Sequence, residues 1–298
     1  MQIVSKGLTY TYNPKTEFKV EALNGVDLII SEGDFFGVIG QTGSGKSTFI
    51  QHLNGLIPVQ NGTLTVGEYD LSLGFKKNKK ALKELRSKVG MVFQYPEYQL
   101  FAETVEEDVA FGIKNFFPSL SGEEVELAVK NALELVGLNY YEVKDNSPFE
   151  LSGGQKRRVA IAGVLVTKPE VLILDEPVAG LDPVGKKQLM SILHEIHRTT
   201  VKTIIIVSHD MDEVCENCNK IAVFAKGKVV ECNSPELLFS STKKLEDLRL
   251  DLPITAKITE KLKEIGVDIQ TDYKINDFIY AVKQEYSKIS LGKENYKK

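Results

Sequence analysis

The chain has 298 residues, 42% of them hydrophobic and 26% charged, with a formal net charge of −4. This balance suits a globular protein with one large domain and a smaller appendage. It excludes a global basic field for nucleic acid or anionic lipid, and no apolar run approaches the ~18 residues that a membrane-spanning helix requires.

The N-terminus, Met1 to Tyr10, reads as a strand and lacks the basic start, apolar run and cleavage site of a secretory signal, so the cytosol is the expected compartment. The 3 cysteines agree with a reducing environment and argue against a disulfide framework. A strand from about Asp34 to Ile39 leads directly into Gly40-Gln41-Thr42-Gly43-Ser44-Gly45-Lys46-Ser47, and Thr48 to Asn54 continue as a helix. This order of strand, glycine loop and helix is the context of a phosphate-binding P-loop. Gly40, Gly43 and Gly45 let successive N–H groups approach phosphate oxygens, Lys46 supplies positive charge near the β- and γ-phosphates, and Ser47 offers a hydroxyl to Mg²⁺.

Lys76, Lys77, Lys79, Lys80, Lys83, Arg86 and Lys88 form a local basic patch opposed by Glu84, read here as a solvated loop and helix face. Short apolar runs at Lys88 to Phe93, Val171 to Leu174, Thr203 to Ser208 and Ile221 to Phe224 alternate with helical patterns. They predict buried strands of a largely parallel sheet, so the class is α/β. Between about Pro96 and Pro148 the pattern is helical, with helices over Val105 to Asn115 and Ser121 to Val136, and is read as an insert on the sheet-based core.

Leu151-Ser152-Gly153-Gly154-Gln155 precedes a helical pattern over Lys156 to Val166, which places Ser152 and both glycines at a helix N-terminus, where free N–H groups favour an anion. Val171 to Leu174 run into Asp175 and Glu176, carboxylates at the carboxyl end of a buried strand, where open α/β sheets place their ligands. Asp175 suits a Mg²⁺ shell, and Glu176 suits orienting an attacking water or accepting its proton. Ala225 to Lys228 read as a hairpin turn, Ser234-Pro235 starts a helix, and the last fifty or so residues read as a small helical extension. Cys215 and Cys218 have C-x-x-C spacing but lack a second closely spaced pair, and His194 and His197 lack zinc-protease spacing, so neither pair is read as a metal site.

The P-loop, the Leu151 to Gln155 motif and the Asp175-Glu176 pair, in this order, resemble the nucleotide-binding subunit of an ATP-binding cassette (ABC) transporter. The resemblance covers residues 1 to about 240. It implies a P-loop NTPase of the ABC ATPase fold: a RecA-like parallel sheet, an N-terminal antiparallel β subdomain, and a helical subdomain inserted at about 96–160. Residues 241–298 are expected to be a small C-terminal extension that helps pair two ATPases.

By the same resemblance ATP and Mg²⁺ are the expected ligands, with Gly40 to Thr48 around the phosphates. Tyr12 stacks on adenine, with Tyr10 as second candidate. Gln94 senses the metal and the attacking water and links to a membrane partner; Ser47, Gln94 and Asp175 surround Mg²⁺. Glu176 and His209 join Gln94 as catalytic residues, His209 contacting the γ-phosphate, and Asp182 belongs to a loop crossing a dimer interface. Two such subunits are expected to meet head to tail, each ATP being completed by Ser152, Gly153, Gly154 and Gln155 of the other. Val178 stands where many relatives have Thr or Ser.

The stretches Val89 to Phe101, Glu103 to Gly112 and Gly153 to Gly163 are more narrowly similar to the ATPases of energy-coupling factor transporters. That subgroup implies uptake of vitamins or transition-metal ions, a second identical or paralogous ATPase, a transmembrane T component, a substrate-binding S component, and a peripheral place on the cytoplasmic face of the membrane. The alternative is a soluble ABC ATPase acting on nucleic acid or the ribosome. Such proteins carry long coiled-coil insertions or tandem cassettes, and the acidic balance here gives nucleic acid no help.

Overall fold

The computed structural model describes residues 1–72, 78–240 and 242–295. The chain begins β1 (Ile3–Tyr12), β2 (Val20–Ile30), β3 (Phe35–Gly40), α1 (Lys46–Leu53), β4 (Asn61–Val66), β5 (Tyr69–Asp70), α2 (Lys79–Lys88) and β6 (Val89–Val92). It continues α3 (Val105–Phe116), α4 (Gly122–Leu135), α5 (Tyr140–Val143), α6 (Gly153–Leu165), β7 (Val171–Asp175), α7 (Pro183–Thr199) and β8 (Thr203–Val207). It ends α8 (Met211–Asn217), β9 (Lys220–Ala225), β10 (Lys228–Asn233), α9 (Pro235–Phe239), α10 (Thr242–Asp247), α11 (Ile254–Glu264) and α12 (Ile275–Asn295).

Two sheets result. The antiparallel one has the order β2-β1-β4-β5, and the larger one β10-β9-β3-β8-β7-β6. In the larger sheet every pairing from β9 to β6 is parallel, and only the edge strand β10 runs the other way. The parallel strands alternate between two cores, as period-2 side-chain direction requires. Phe36, Val38, Val171, Ile173, Ile205 and Val207 face α1 and the antiparallel sheet, whereas Phe35, Ile39, Leu172, Leu174, Ile204 and Ile206 face the core shared with α6, α7 and the helical insert. Both faces are covered, which explains why these strands read as continuous apolar runs rather than alternating ones.

Local chemistry fixes the helix starts. Ser121 and Glu124 form a capping box on α4, and Thr104 caps α3 by accepting from the Glu107 N–H. The Ala225 to Lys228 turn closes the β9–β10 hairpin with Lys226 at φ +49° and Gly227 at φ +76°, the two positive φ values that favour such turns. Gly227 also braces the P-loop: its N–H donates to the Ser44 carbonyl at 3.0 Å, and its carbonyl accepts from the Asn24 N–H at 2.8 Å.

The segment after α9 packs against the rest of the chain. Leu245, Leu250, Leu252 and Ala256 are buried in the helical-side core, and the Ile254 and Ile275 N–H groups donate to Asp212 Oδ1 at 2.7 Å and Glu216 Oε2 at 3.1 Å on α8. In the basic patch Lys76 and Lys77 lie outside the described residues. Lys79, Lys80 and Lys83 are exposed on α2, while Arg86 donates to the carbonyls of Asn54 and Gly55 and Lys88 pairs with Glu68 at 2.8 Å. Cys215 and Cys218 are buried, and a Cβ on Gly37 would meet Val214 Cγ1 at 2.6 Å and Cys218 Sγ at 3.1 Å, so the thiols serve close helix–sheet packing. His194 stacks on Phe35 at 4.7 Å between ring centroids, and His197 meets the same ring edge-on at 5.5 Å.

Candidate functional site

Parallel register brings the chemistry to one rim. Val92 aligns with Leu174, Asp175 with Val207, and Val207 with Val38. The residues just beyond these strands are Gln94 after β6, Glu176 after β7, His209 after β8 and the P-loop after β3, and all emerge at the carboxyl edge. They line a cleft of about 570 Å³ together with Thr42, Gly43, Gly45, Lys46, Ser47, Thr48 and Asp175. The antiparallel sheet supplies the remaining wall through Tyr12, Val20 and Ala22.

The P-loop geometry depends on its glycines. Gly40 stands at φ +148°, and a Cβ there would lie 2.3 Å from the Phe224 carbonyl oxygen and 2.7 Å from Ser44 Oγ. Gly45, at φ +105°, is the N-cap of α1 and would place a Cβ 2.5 Å from the Ala22 carbonyl oxygen. The loop therefore packs backbone on backbone, and the unpaired N–H groups at the start of α1 remain for a ligand. Lys46 Nζ donates to the carbonyls of Gly40 at 2.7 Å and Gln41 at 3.0 Å. Burial lowers its pKa, against the opposing charges of Glu176 and Asp175.

Burial likewise raises the Asp175 carboxyl, while a hydrogen bond from the Ser47 hydroxyl pulls it back. This juxtaposition of Ser47 and Asp175, with the Gln94 amide lining the same cleft, is an oxygen donor set that fits a small hard cation such as Mg²⁺. Glu176 takes φ +50°, the left-handed region, at a cost of about 1 kcal/mol for a residue with a side chain. Its N–H donates to the Val207 carbonyl at 2.8 Å, and its Oε2 meets His209 Nδ1 at 2.8 Å. His209 is otherwise open, with 74% of its side chain exposed, so it projects into the cleft rather than into the core.

Tyr12 lines the cleft, its hydroxyl 3.3 Å from Thr48 Oγ1. Tyr10 instead packs edge-on against Tyr12 and His52. Gln41 and Ser44 belong to the reverse side of the loop, where they line a second cavity with Lys226 and Arg249, and Gln41 Nε2 donates to the Leu248 carbonyl at 2.9 Å. Ser152 caps α6 in a full capping box with Gln155, and Asp182 caps α7 by accepting from the Gly185 N–H at 2.7 Å. Ser152 to Gln155 and Asp182 are not among the described residues that line the cleft.

Sequence reasoning missed Arg157. It is 4% exposed, forks onto Glu97 at 3.2 and 3.3 Å, and donates from Nη1 to the carbonyls of Pro177 and Ala179 at 2.9 Å each. It thereby ties the helix after Ser152 to the segments following Gln94 and Glu176. No local pattern marks it, because its partners Glu97, Pro177 and Ala179 lie 60, 20 and 22 residues away.

Known proteins resemble this chain over most of its length. Residues 23–179 match the ABC transporter family. The energy-coupling factor transporter ATP-binding protein EcfA2 of Clostridioides difficile is 45% identical over 98% of this chain and 99% of its own length. The protein of the same name from Bacillus cereus is 46% identical over 95% of this chain and 96% of its own. Among solved structures, cbiO1 of Clostridium perfringens, described as part of the ABC transporter complex cbiONQ, superposes with a TM-score of 0.72 at 36% identity, covering 87% of this chain and 98% of that one. The ATP-binding cassette MJ0796, solved as a dimer with ADP and phosphate, gives 0.69 at 28% identity over 78% of this chain and 98% of its own. The chain therefore belongs to the ABC transporter family and, within it, to the ATP-binding proteins of energy-coupling factor transporters.

Proposed function

We propose that this chain binds and hydrolyses ATP at the carboxyl rim of its parallel sheet and works as one of two ATPases beneath a membrane importer. The observation that carries this reading is the convergence of Lys46, Ser47, Gln94, Asp175, Glu176 and His209 on one cleft. The P-loop amides and Lys46 hold the β- and γ-phosphates, Lys46 exchanging the carbonyls of Gly40 and Gln41 for phosphate oxygens. Tyr12 stacks on the adenine. Ser47, Asp175 and Gln94 would hold Mg²⁺, which when bound neutralises charge on the transferring phosphoryl group. Glu176 orients the attacking water and takes its proton as the water oxygen bonds to the γ-phosphorus and ADP leaves. His209, held against Glu176, contacts the γ-phosphate.

The described lining of the cleft does not include Ser152, which caps the start of α6. Each site is therefore completed by Ser152, Gly153, Gly154 and Gln155 of a second ATPase, identical or paralogous, with Asp182 at the shared interface. The γ-phosphate then supplies the contacts that distinguish closed from open, and its loss removes the differential binding that holds the pair together.

The membrane partners are a T component and an interchangeable S component for a vitamin or transition-metal ion, which places the chain peripherally on the cytoplasmic face. No described helix is long and apolar enough to cross a membrane, so the path for the substrate belongs to other chains. Exposed aromatics on the helical insert, Tyr98, Phe101 and Phe111, with Phe101 and Phe111 in edge contact at 5.0 Å, support docking of an apolar partner there. Detergent extraction of the tagged chain, followed by identification of the copurifying proteins, tests this reading. A multi-spanning membrane protein in stoichiometric amount is expected; purification with ribosomes or nucleic acid and no membrane protein would overturn it.

A further inference from the structure

The turn that presents His209 is closed by a ring of hydrogen bonds. Ser208, buried at the end of β8, donates its hydroxyl proton to Glu213 Oε2 at 3.0 Å. The same Oγ accepts from the Asp210 N–H at 3.1 Å, and Asp210 Oδ1 accepts from the Glu213 N–H at 3.1 Å. Asp210 Oδ2 accepts from Lys186 Nζ of α7 at 2.7 Å, which anchors the ring from outside. His209 is the one residue of the 208–210 turn whose side chain leaves this ring, and it reaches Glu176.

Glu213 is the unexpected member. It is 8% exposed, yet its second oxygen, Oε1, is buried with no hydrogen-bond partner among the described residues. A carboxyl held this way costs stability, which an apolar side chain would not. Such a cost persists where the surrounding structure uses it.

We propose that Glu213 is a positioning residue for His209: its carboxylate, by accepting the Ser208 hydroxyl proton, sets the turn that presents His209 to Glu176 and the nucleotide. A charged acceptor makes a shorter and stronger bond than a neutral one, so the turn is tight when Glu213 is ionised and loosens when it is protonated. Burial pushes this carboxyl up to about 7, the Ser208 bond opposes that rise, Asp210 and Glu176 add to it, and Lys186 opposes it. Proton uptake at Glu213 therefore falls near neutrality. The cleft that Glu213 borders adds Lys187 and His194 from α7, Asp212, Cys215 and Glu216 from α8, and Tyr273 from the C-terminal extension, and the buried Cys218 thiol also feels its charge.

This inference rests on the reading of His209 as a γ-phosphate contact, and the test separates the two. Steady-state ATP hydrolysis is measured for the chain purified with the membrane proteins that accompany it, from about pH 5.5 to about 8.5. Glu213→Gln is expected to lower kcat roughly fivefold above neutrality, leave KM for ATP unchanged, and remove an inflection near pH 7. Ser208→Ala, which removes the same bond from the other side, is expected to do likewise. In a His209→Ala background Glu213→Gln is expected to change nothing further. If Glu213→Gln and Ser208→Ala both keep the unmodified kcat and inflection, the proposal is wrong while the assignment of His209 stands. A Glu213→Gln effect of equal size with and without His209 also overturns it, because the role is then general packing. Unmodified turnover in His209→Ala alone overturns both.

Discussion

Replacing Arg157 by Met tests how the pieces of the site are fastened. The guanidinium pairs with Glu97 through two nitrogens and satisfies the Pro177 and Ala179 carbonyls, with its side chain 5% exposed and that of Glu97 20% exposed. Arg157→Met keeps the apolar stem but strands two carbonyl oxygens, each costing about 1–3 kcal/mol when left without a donor. It also leaves a carboxylate only partly reached by water, whereas a fully buried orphan charge costs about 3–5 kcal/mol. Because Glu97 retains some solvent, the carbonyls dominate, and a loss of about 3 kcal/mol is expected. For a chain of this size that corresponds to a fall of roughly 5–10 °C in Tm. Urea denaturation followed by circular dichroism measures it, with Arg157→Lys, which keeps the charge but not the fork, expected midway. A stability for Arg157→Met within about 0.5 kcal/mol of the unmodified chain would refute this account of the bridge.

Gly40→Ala places a Cβ 2.3 Å from a backbone oxygen at φ +148°, so a loss of about 2 kcal/mol or more and weakened binding of a fluorescent ATP analogue are expected; an unchanged denaturation midpoint would contradict the packing. Glu213 has a folded pKa raised from 4.5 to about 7, so the stability it contributes is fully present below about pH 4.5 and is lost as pH rises through about 7. Glu213→Gln, which cannot ionise, should accordingly gain on the unmodified chain by about 3 kcal/mol between about pH 5 and 8, and a pH-independent difference in urea midpoints would argue against that shift. Burial pushes the Cys215 thiol up to about 12 and raises Cys218 as well, while Cys232 is half-buried. Thiol reagents should label Cys232 first in the native protein; rapid labelling of Cys215 or Cys218, or stoichiometric zinc, would reopen the C-x-x-C as a site.

The parallel strands were legible because burial on both faces forces uninterrupted apolar runs, and the helix starts because Ser121, Ser152 and Ser234 are caps with a local signature. Gly40 to Ser47 and Asp175-Glu176 were legible because their chemistry is contiguous in sequence. What escaped was long-range polar geometry. Arg157 reaches Glu97 across sixty residues, and the contact of Gln41 with Leu248 spans two hundred and seven, so no local pattern marks either. Glu213 was hidden differently, since Asp-Glu at a helix start reads as ordinary dipole complementarity until its burial is known. Nothing local to His194 and His197 indicates that Phe35 lies beneath them.

The central claim is that this rim hydrolyses ATP and does so as half of a pair. Steady-state phosphate release by the chain purified with its membrane partners, compared with Glu176→Gln, tests it most directly. Turnover by the unmodified protein, its loss in Glu176→Gln with ATP binding retained, and an ATP-stabilised pair of ATPases in the variant are predicted. Absent turnover in the unmodified assembly, or an unchanged rate in Glu176→Gln, would contradict it.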